Sequence, residues 1–441
     1  MIVKDAWRLL PTTTAVVVGV AAFAKSFVPF YLIGSTPIFA VTCFLGVLLV
    51  MLAGRKLAEQ AAHATDIFLV LALFYCTVIA SFLINSLSRV PVTHLLGILI
   101  FHGLFLVFGF AAARAVRTVF VVLLVQAAIY ILVIAQYVVR VGDPMHAGYL
   151  DDIFGVGILA ISITFHQTIG AALGLATLAL IGFATKRTRL LAFAALPLVL
   201  LFMFHIAART AMVALACSLL FLGGATLWAR SRKLAIAGVG TIIVMAMAAS
   251  FLFYQRALHD KTVDANAPDA ISRTIREIQD PRPLFRMQIW KRTIDHIATK
   301  PDRLLLGRGI GVYPIDEGFG PPNWLLKPAD GNKYYPHNIY LDVLYEAGLA
   351  GLLPVIALTM LPLCMSLGRW NNYGTADQAA ILLYVFNFVA MLFSGSFAFS
   401  YDFQFFLGLA IGVVALSRGT PRVPAELRKS GATQPTPRLA Q

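Results

Sequence analysis

Apolar positions along the chain fall in long, almost unbroken runs separated by short charged connections, most cleanly at residues 15–24, 68–83 and 234–253. A bilayer core about 30 Å thick takes roughly 20 helical residues to cross, and only helices or closed barrels satisfy their backbone inside it. A barrel strand would alternate over about ten residues, whereas these runs are apolar on every face. Twelve spans are predicted, at 12–30, 36–53, 67–85, 92–113, 118–139, 155–184, 190–207, 211–228, 234–254, 338–366, 379–397 and 400–417.

One long polar stretch interrupts the series. The chain divides into spans one to nine over 1–254, a large loop over 255–337, spans ten to twelve over 338–417, and a tail over 418–441 whose Pro, Arg, Thr and Ala content reads as disordered. Within the loop, Ile271, Ile275 and Ile278, then Leu284, Met287, Trp290, Ile294 and Ile297, recur at three- and four-residue spacing, broken by Asp280-Pro281-Arg282-Pro283. That periodicity predicts two amphipathic helices at a membrane surface. The turn-rich run Gly307-Arg308-Gly309-Ile310-Gly311 follows.

Composition closes off other classes. With 59% hydrophobic and 13% charged residues and a mean hydropathy of +0.81, the chain is an all-α polytopic membrane protein. The short connections at Arg55-Lys56, Arg114 and Arg117, 186–189, 230–233 and Arg369, with Lys4, Arg8 and the tail, carry 18 of the 35 Lys and Arg. By the positive-inside rule that side is cytoplasmic and the large loop is external. The net charge of +14 is then mostly a topological signal plus attraction to anionic membrane lipids, with no need of nucleic acid. Lys4, Arg8 and the apolar run to Phe23 resemble a signal peptide; apolar sequence resuming at Phe27 favours an uncleaved first span. Cys43, Cys76, Cys217 and Cys364 all lie in predicted spans, so neither a disulfide framework nor a zinc site is indicated.

Three residues carry candidate chemistry. Arg209 stands at the outer end of the seventh-to-eighth turn, where a permanent cation is costly unless it binds an anion; a snorkelling span end, or a pair with Asp402, is the structural alternative. A guanidinium fork suits phosphate oxygens. Arg286 lies one turn before Trp290 on the second loop helix, where a solvated face is the commoner explanation. His337 follows Pro336 and precedes an apolar helical run beginning at Asn338, which places its imidazole at a helix start. There the positive dipole end opposes protonation and keeps the ring a proton acceptor; a plain interfacial histidine is the alternative. No DxD-type cluster, HExxH or Walker sequence faces outward, so metal-dependent phosphate chemistry is disfavoured and no cofactor is indicated.

Ala208-Arg209-Thr210-Ala211, Arg286-Met287-Gln288-Ile289-Trp290, Gly307-Arg308-Gly309-Ile310-Gly311, His337-Asn338-Ile339-Tyr340-Leu341 and 346–351 together resemble the successive motifs of the O-antigen ligase and polymerase superfamily. The ordered series covers roughly 190–370, and the span layout extends it. The layout is most similar to the ligase. The resemblance implies a GT-C-like membrane glycosyltransferase at the periplasmic face of the bacterial inner membrane. Such an enzyme moves a glycan from undecaprenyl diphosphate to the lipid A core, without metal or nucleotide. It maps the catalytic histidine onto His337 and the two diphosphate-binding arginines onto Arg209 and Arg286. Trp324, Tyr334, Tyr335 and Asn338 are candidate sugar or acceptor contacts, although interfacial aromatic residues are more often anchors.

Polymerases of the superfamily usually carry two sizeable outer loops with Arg-x10-Gly patterns; here the fifth-to-sixth connection is short and no loop arginine has a glycine eleven residues on. A polymerase and an O-linked protein oligosaccharyltransferase stay open as alternatives. A transporter would place polar groups along mid-span, and the candidates Lys25, Gln126, His166 and Asn387 are few.

Overall fold

A computed structural model describes residues 36–141, 165–183, 185–259, 270–279, 286–322, 335–398 and 400–419. It is 87% helix, with no strand among the described residues. In chain order the helices are α1 (Thr36–Ala61), α2 (Thr65–Ser81), α3 (Val92–Ala112), α4 (Val116–Val141), α5 (Phe165–Gly182), α6 (Lys186–His205) and α7 (Arg209–Arg230). They continue as α8 (Arg232–His259), α9 (Ala270–Gln279), α10 (Arg286–Ala298), α11 (Tyr313–Asp316), α12 (Ile339–Leu367), α13 (Thr375–Ser394) and α14 (Tyr401–Gly419).

Among the described residues, eight helical stretches are long and apolar enough to cross a membrane, where the sequence reads twelve spans over the whole chain. Predicted span 12–30 and residues 155–164 lie outside the described residues, as do the break at Asp280-Pro281-Arg282-Pro283 and the tail beyond 419. The rest of the sixth span is the shorter apolar helix Gln167–Gly182. Met51–Ser86 and Val92–Leu132 run through connections that the sequence reads as breaks between spans. The physical reason is that Ala62–Ala64 and Ala113–Ala115 continue the chain as 3-10 turns, so the charged positions beside them do not interrupt helical structure. The two short helices expected over 268–300 are α9 and α10.

Apolar side chains gain little from meeting one another in lipid, so helix association depends on close packing of small residues. α14 lies along α3 on that principle: a Cβ on Gly109 would meet the Phe405 carbonyl, and one on Gly408 the Leu106 carbonyl. α13 packs between α5 and α7 and is buried from Ala379 to Phe386. α8, by contrast, leaves its whole apolar stretch uncovered, as a helix bordering lipid does.

α12 is two helices joined at a break. Gly348 has φ 67 and ψ −164, which interrupts the ladder and frees backbone groups on both sides. The Gly307–Gly311 segment and its leading residues fill the gap. Leu349 N–H donates to the Leu304 carbonyl at 2.9 Å and Ala350 N–H to Leu305 at 3.0 Å. In return, Arg308 N–H donates to the Tyr345 carbonyl at 2.8 Å and Gly309 N–H to Glu346 at 3.1 Å, while Ser81 Oγ donates to the same Glu346 carbonyl at 2.6 Å. The segment 304–309 is thereby fastened to the half of α12 that follows His337. Gly348→Ala should lower stability by about 2–4 kcal/mol, because its Cβ would meet the Leu305 carbonyl in a φ region that alanine avoids. Thermal unfolding of the purified protein in detergent checks this; an unshifted midpoint would contradict it.

Candidate active site

Among the described residues, two that are not glycine have positive φ: Ala207 at 52° and His337 at 58°. The left-handed region costs such residues about 1–2 kcal/mol, and strain of this kind concentrates where function constrains the backbone. Here one position lies two residues before Arg209 and the other is His337 itself.

At the first, α6 ends as Ala207 N–H donates to Phe204 (3.1 Å) and Ala208 N–H to Met203 (2.8 Å). The reversal lets α7 begin at once with Arg209. Arg209 Nη1 donates to Thr274 Oγ1 on α9 at 3.0 Å, which ties the bundle to the first loop helix. Asp402, the acid that a structural pair would have used, makes no ion pair among the described residues. The next residue, Thr210, reaches the second loop helix. Arg286 Nη1 donates to Thr210 Oγ1 at 3.4 Å and Nη2 to Ser394 Oγ at 2.8 Å, and the two hydroxyls stand 3.3 Å apart. Arg286 thus meets Thr210, the chain neighbour of Arg209, at the end of α13, while the Arg209 side chain itself reaches α9.

His337 belongs to the same cluster. Its imidazole is pushed down to about 4, first by burial and then by the charge of Arg286. The sequence predicts a neutral ring from the helix dipole; the ring is neutral at pH 7, but the causes are desolvation and a neighbouring guanidinium. The segment is held from two sides. Trp290 Nε1 donates to the Pro336 carbonyl at 2.9 Å. Asn338 caps α12, its Oδ1 accepting from Tyr340 N–H (3.0 Å) and Leu341 N–H (3.1 Å), while its Nδ2 donates to the Leu392 carbonyl at 3.0 Å. Both ends of the Asn338 carboxamide are therefore engaged by protein. Tyr335 lays its ring against His337, with centroids 4.4 Å apart. Trp324 and Tyr334 lie outside the described residues.

One turn further along α12, Asp342 accepts from Phe397 N–H at 2.8 Å and Ser396 Oγ at 3.2 Å, which joins this helix to the turn after α13. The sequence reading did not single out Thr210, Thr274 or Ser394. Thr210 stands inside a recognised motif, but isolated hydroxyls in apolar surroundings carry no spacing signal. Trp290, by contrast, was placed on the Arg286 face by periodicity, and both side chains do reach the site from α10.

Because α10 carries Arg286 at one end and grips the His337 segment through Trp290, its orientation sets the imidazole relative to the cations. Trp290→Phe keeps the ring and removes the hydrogen bond. It should lower kcat about fivefold with KM little changed, since one net hydrogen bond is worth about 1 kcal/mol and its loss frees the His337 segment. Steady-state kinetics check this, and unchanged kcat would show that the bond is dispensable.

Arginine forks, hydroxyls and a neutral imidazole gathered at the end of a membrane helix form a site suited to an anionic group carried by a lipid. Residues 198–356 match the family described as O-antigen ligase, a stretch that contains Arg209, Arg286 and His337. That match supports a place in the O-antigen ligase and polymerase superfamily for the segment that holds these three residues. No curated protein matches it.

Proposed function

We propose that the protein is an O-antigen ligase, transferring a glycan from undecaprenyl diphosphate to the lipid A core at the periplasmic face of the inner membrane. The observation that carries this reading is Arg286 held on Thr210 and Ser394 at the end of α13, next in the chain to Arg209 and close enough for its charge to act on His337. The acceptor hydroxyl attacks the anomeric carbon as the bond from that carbon to the diphosphate oxygen breaks. His337 takes the hydroxyl proton, and Arg209 with Arg286 neutralise the departing undecaprenyl diphosphate. A single displacement inverts the anomeric centre. No metal is required in this scheme, because guanidinium groups carry the leaving-group charge.

Twelve spans, a GT-C-like arrangement and an external 255–337 loop belong to the same proposal. The fastening of that loop to α7 and α13 through Arg286, and to α12 through the backbone of 304–309, supports one catalytic face. Tyr335, and Trp324 and Tyr334 near it in sequence, are assigned to sugar or acceptor contact. Asn338 is assigned to holding the His337 segment.

Cells lacking the protein test the reading. A ligase predicts loss of surface glycan while lipid-linked glycan of full length still reaches the periplasmic leaflet. Accumulation of single-repeat precursor would point to a polymerase. Retention of precursor on the cytoplasmic leaflet would point to a flippase, and intact lipopolysaccharide with unglycosylated proteins to a protein acceptor.

A further inference from the structure

A second cationic cluster shares no side chain with the site above. Asn85, Ser88 and Arg89, in the turn after α2, face Lys300, Arg303 and Arg308 of the loop across an open depression. Asp316 bridges two of the cations, at 2.7 Å from Arg89 and 3.0 Å from Arg308. Burial pushes the Asp316 carboxyl up, but hydrogen bonds from Arg89 and Tyr345 and the arginine charges outweigh it, so the group is held below its usual range and stays ionised. Arg303 donates to Asn85 Oδ1 and pairs loosely with the exposed Asp302 at 3.4 Å. Lys300 has no ion-pair partner among the described residues. Four cations against two carboxylates leave an excess of two positive charges, and among the described residues no acceptor takes the donors of Lys300 and Ser88.

The surroundings of the depression are apolar. Ile84 lines it and is 62% exposed, with Leu83 and Leu87 uncovered beside it at the end of a membrane helix. From the loop side, Leu304 and Leu305 follow Arg303 directly, and Leu305 is 64% exposed. Leucines uncovered in a polar loop, level with the end of α2, belong at the boundary between hydrocarbon and headgroups. Cations at that depth meet phosphate, and the aliphatic rim meets acyl chain.

We propose that this depression binds the phosphate headgroup of an anionic membrane lipid, with its acyl chains along Ile84, Leu87 and Leu305. The proposal is independent of the transfer reaction. A free inorganic anion would use the cations and gain nothing from the leucines, so a lipid-borne phosphate is the better fit. Arg308 also joins the depression to the break in α12, since its N–H holds the Tyr345 carbonyl and its guanidinium stands 5.4 Å over the Tyr345 ring.

The test uses the full-length protein in neutral detergent, with lipid adducts counted by native mass spectrometry. Phosphatidylglycerol is the probe, inorganic phosphate and diacylglycerol the controls. One bound phosphatidylglycerol should persist, with apparent affinity falling about fivefold in Lys300→Gln and roughly 25- to 30-fold in Lys300→Gln with Arg303→Gln. Both side chains are exposed, and unchanged elution on gel filtration confirms folding. Arg230→Gln with Lys233→Gln, at the opposite end of α7 from Arg209, should leave that adduct unchanged. Equal loss in this last variant would mean general charge attraction and overturn the site. Undiminished binding in the Lys300/Arg303 variant would overturn it as well, and occupancy by inorganic phosphate as strong as by the lipid would overturn the lipid assignment.

Discussion

His337→Ala should lower glycan transfer by roughly two to four orders of magnitude, the usual loss on removing a general base, while the protein stays folded and inserted. The fold should survive because Asn338, not His337, caps α12, and because Trp290 holds the Pro336 carbonyl rather than the imidazole. Alanine inherits the left-handed backbone, so a modest loss of stability accompanies the loss of rate. The pH dependence discriminates further. With its imidazole at about 4, the free enzyme holds the basic form throughout neutral pH, and kcat/KM for donor should fall only as pH drops toward 4. Bound diphosphate offsets the charge of Arg286 and adds negative charge of its own, both of which favour protonation. The acid limb of kcat should therefore lie at higher pH than that of kcat/KM. Arg286→Gln should likewise raise the limb in kcat/KM, since the guanidinium is one cause of the depression. Coincident limbs, or near-normal transfer by His337→Ala, would remove His337 from the base role.

Arg286→Lys and Arg209→Lys should each lose most activity, about 100-fold or more for the removal of preorganised stabilisation of a developing anion. Charge is conserved in both, so the loss would measure geometry. Arg286 is fixed by Thr210 and Ser394 through separate nitrogens of one planar fork, and a lysine ammonium can span neither pair of partners nor two phosphate oxygens in the same way. Arg209, tied to Thr274, also holds the first loop helix. Kinetics at saturating donor measure the effect. Activity within a fewfold of wild type in both variants would mean that point charge alone suffices and that the fork geometry is incidental.

Much of this arrangement was legible in the chain. Apolar runs of bridging length announce membrane helices, and three- and four-residue spacing over 268–300 announces α9 and α10, because burial imposes those periods directly. Arg209, Arg286 and His337 stand out since charge and imidazole are scarce at the ends of apolar runs. That these three belong to one site is implied only by the family resemblance, as nothing in local spacing joins 209, 286 and 337. Ser394 and Thr274 were invisible for the opposite reason: a hydroxyl in a helix can satisfy itself on its own backbone, as Thr274 also does on the Ala270 carbonyl, so its presence predicts no partner. The break in α12 escaped notice because Gly348 lies in an otherwise helical pattern, and only the docking of the 304–309 backbone shows why a glycine is needed there. Two pairs of predicted spans merge where short 3-10 turns carry helices through charged positions, which a hydropathy reading treats as boundaries.

The central claim is that these three side chains transfer a lipid-linked glycan without a metal. Purified protein, undecaprenyl-diphosphate-linked glycan and rough lipopolysaccharide, incubated in excess EDTA, test it in one reaction followed by gel for joined product and by chromatography for released undecaprenyl diphosphate. The account predicts a ladder of joined product with undecaprenyl diphosphate released in equal amount, and neither from His337→Ala. A reaction that stops on chelation and returns with magnesium or manganese would contradict it, as would product formation by the histidine variant at the wild-type rate.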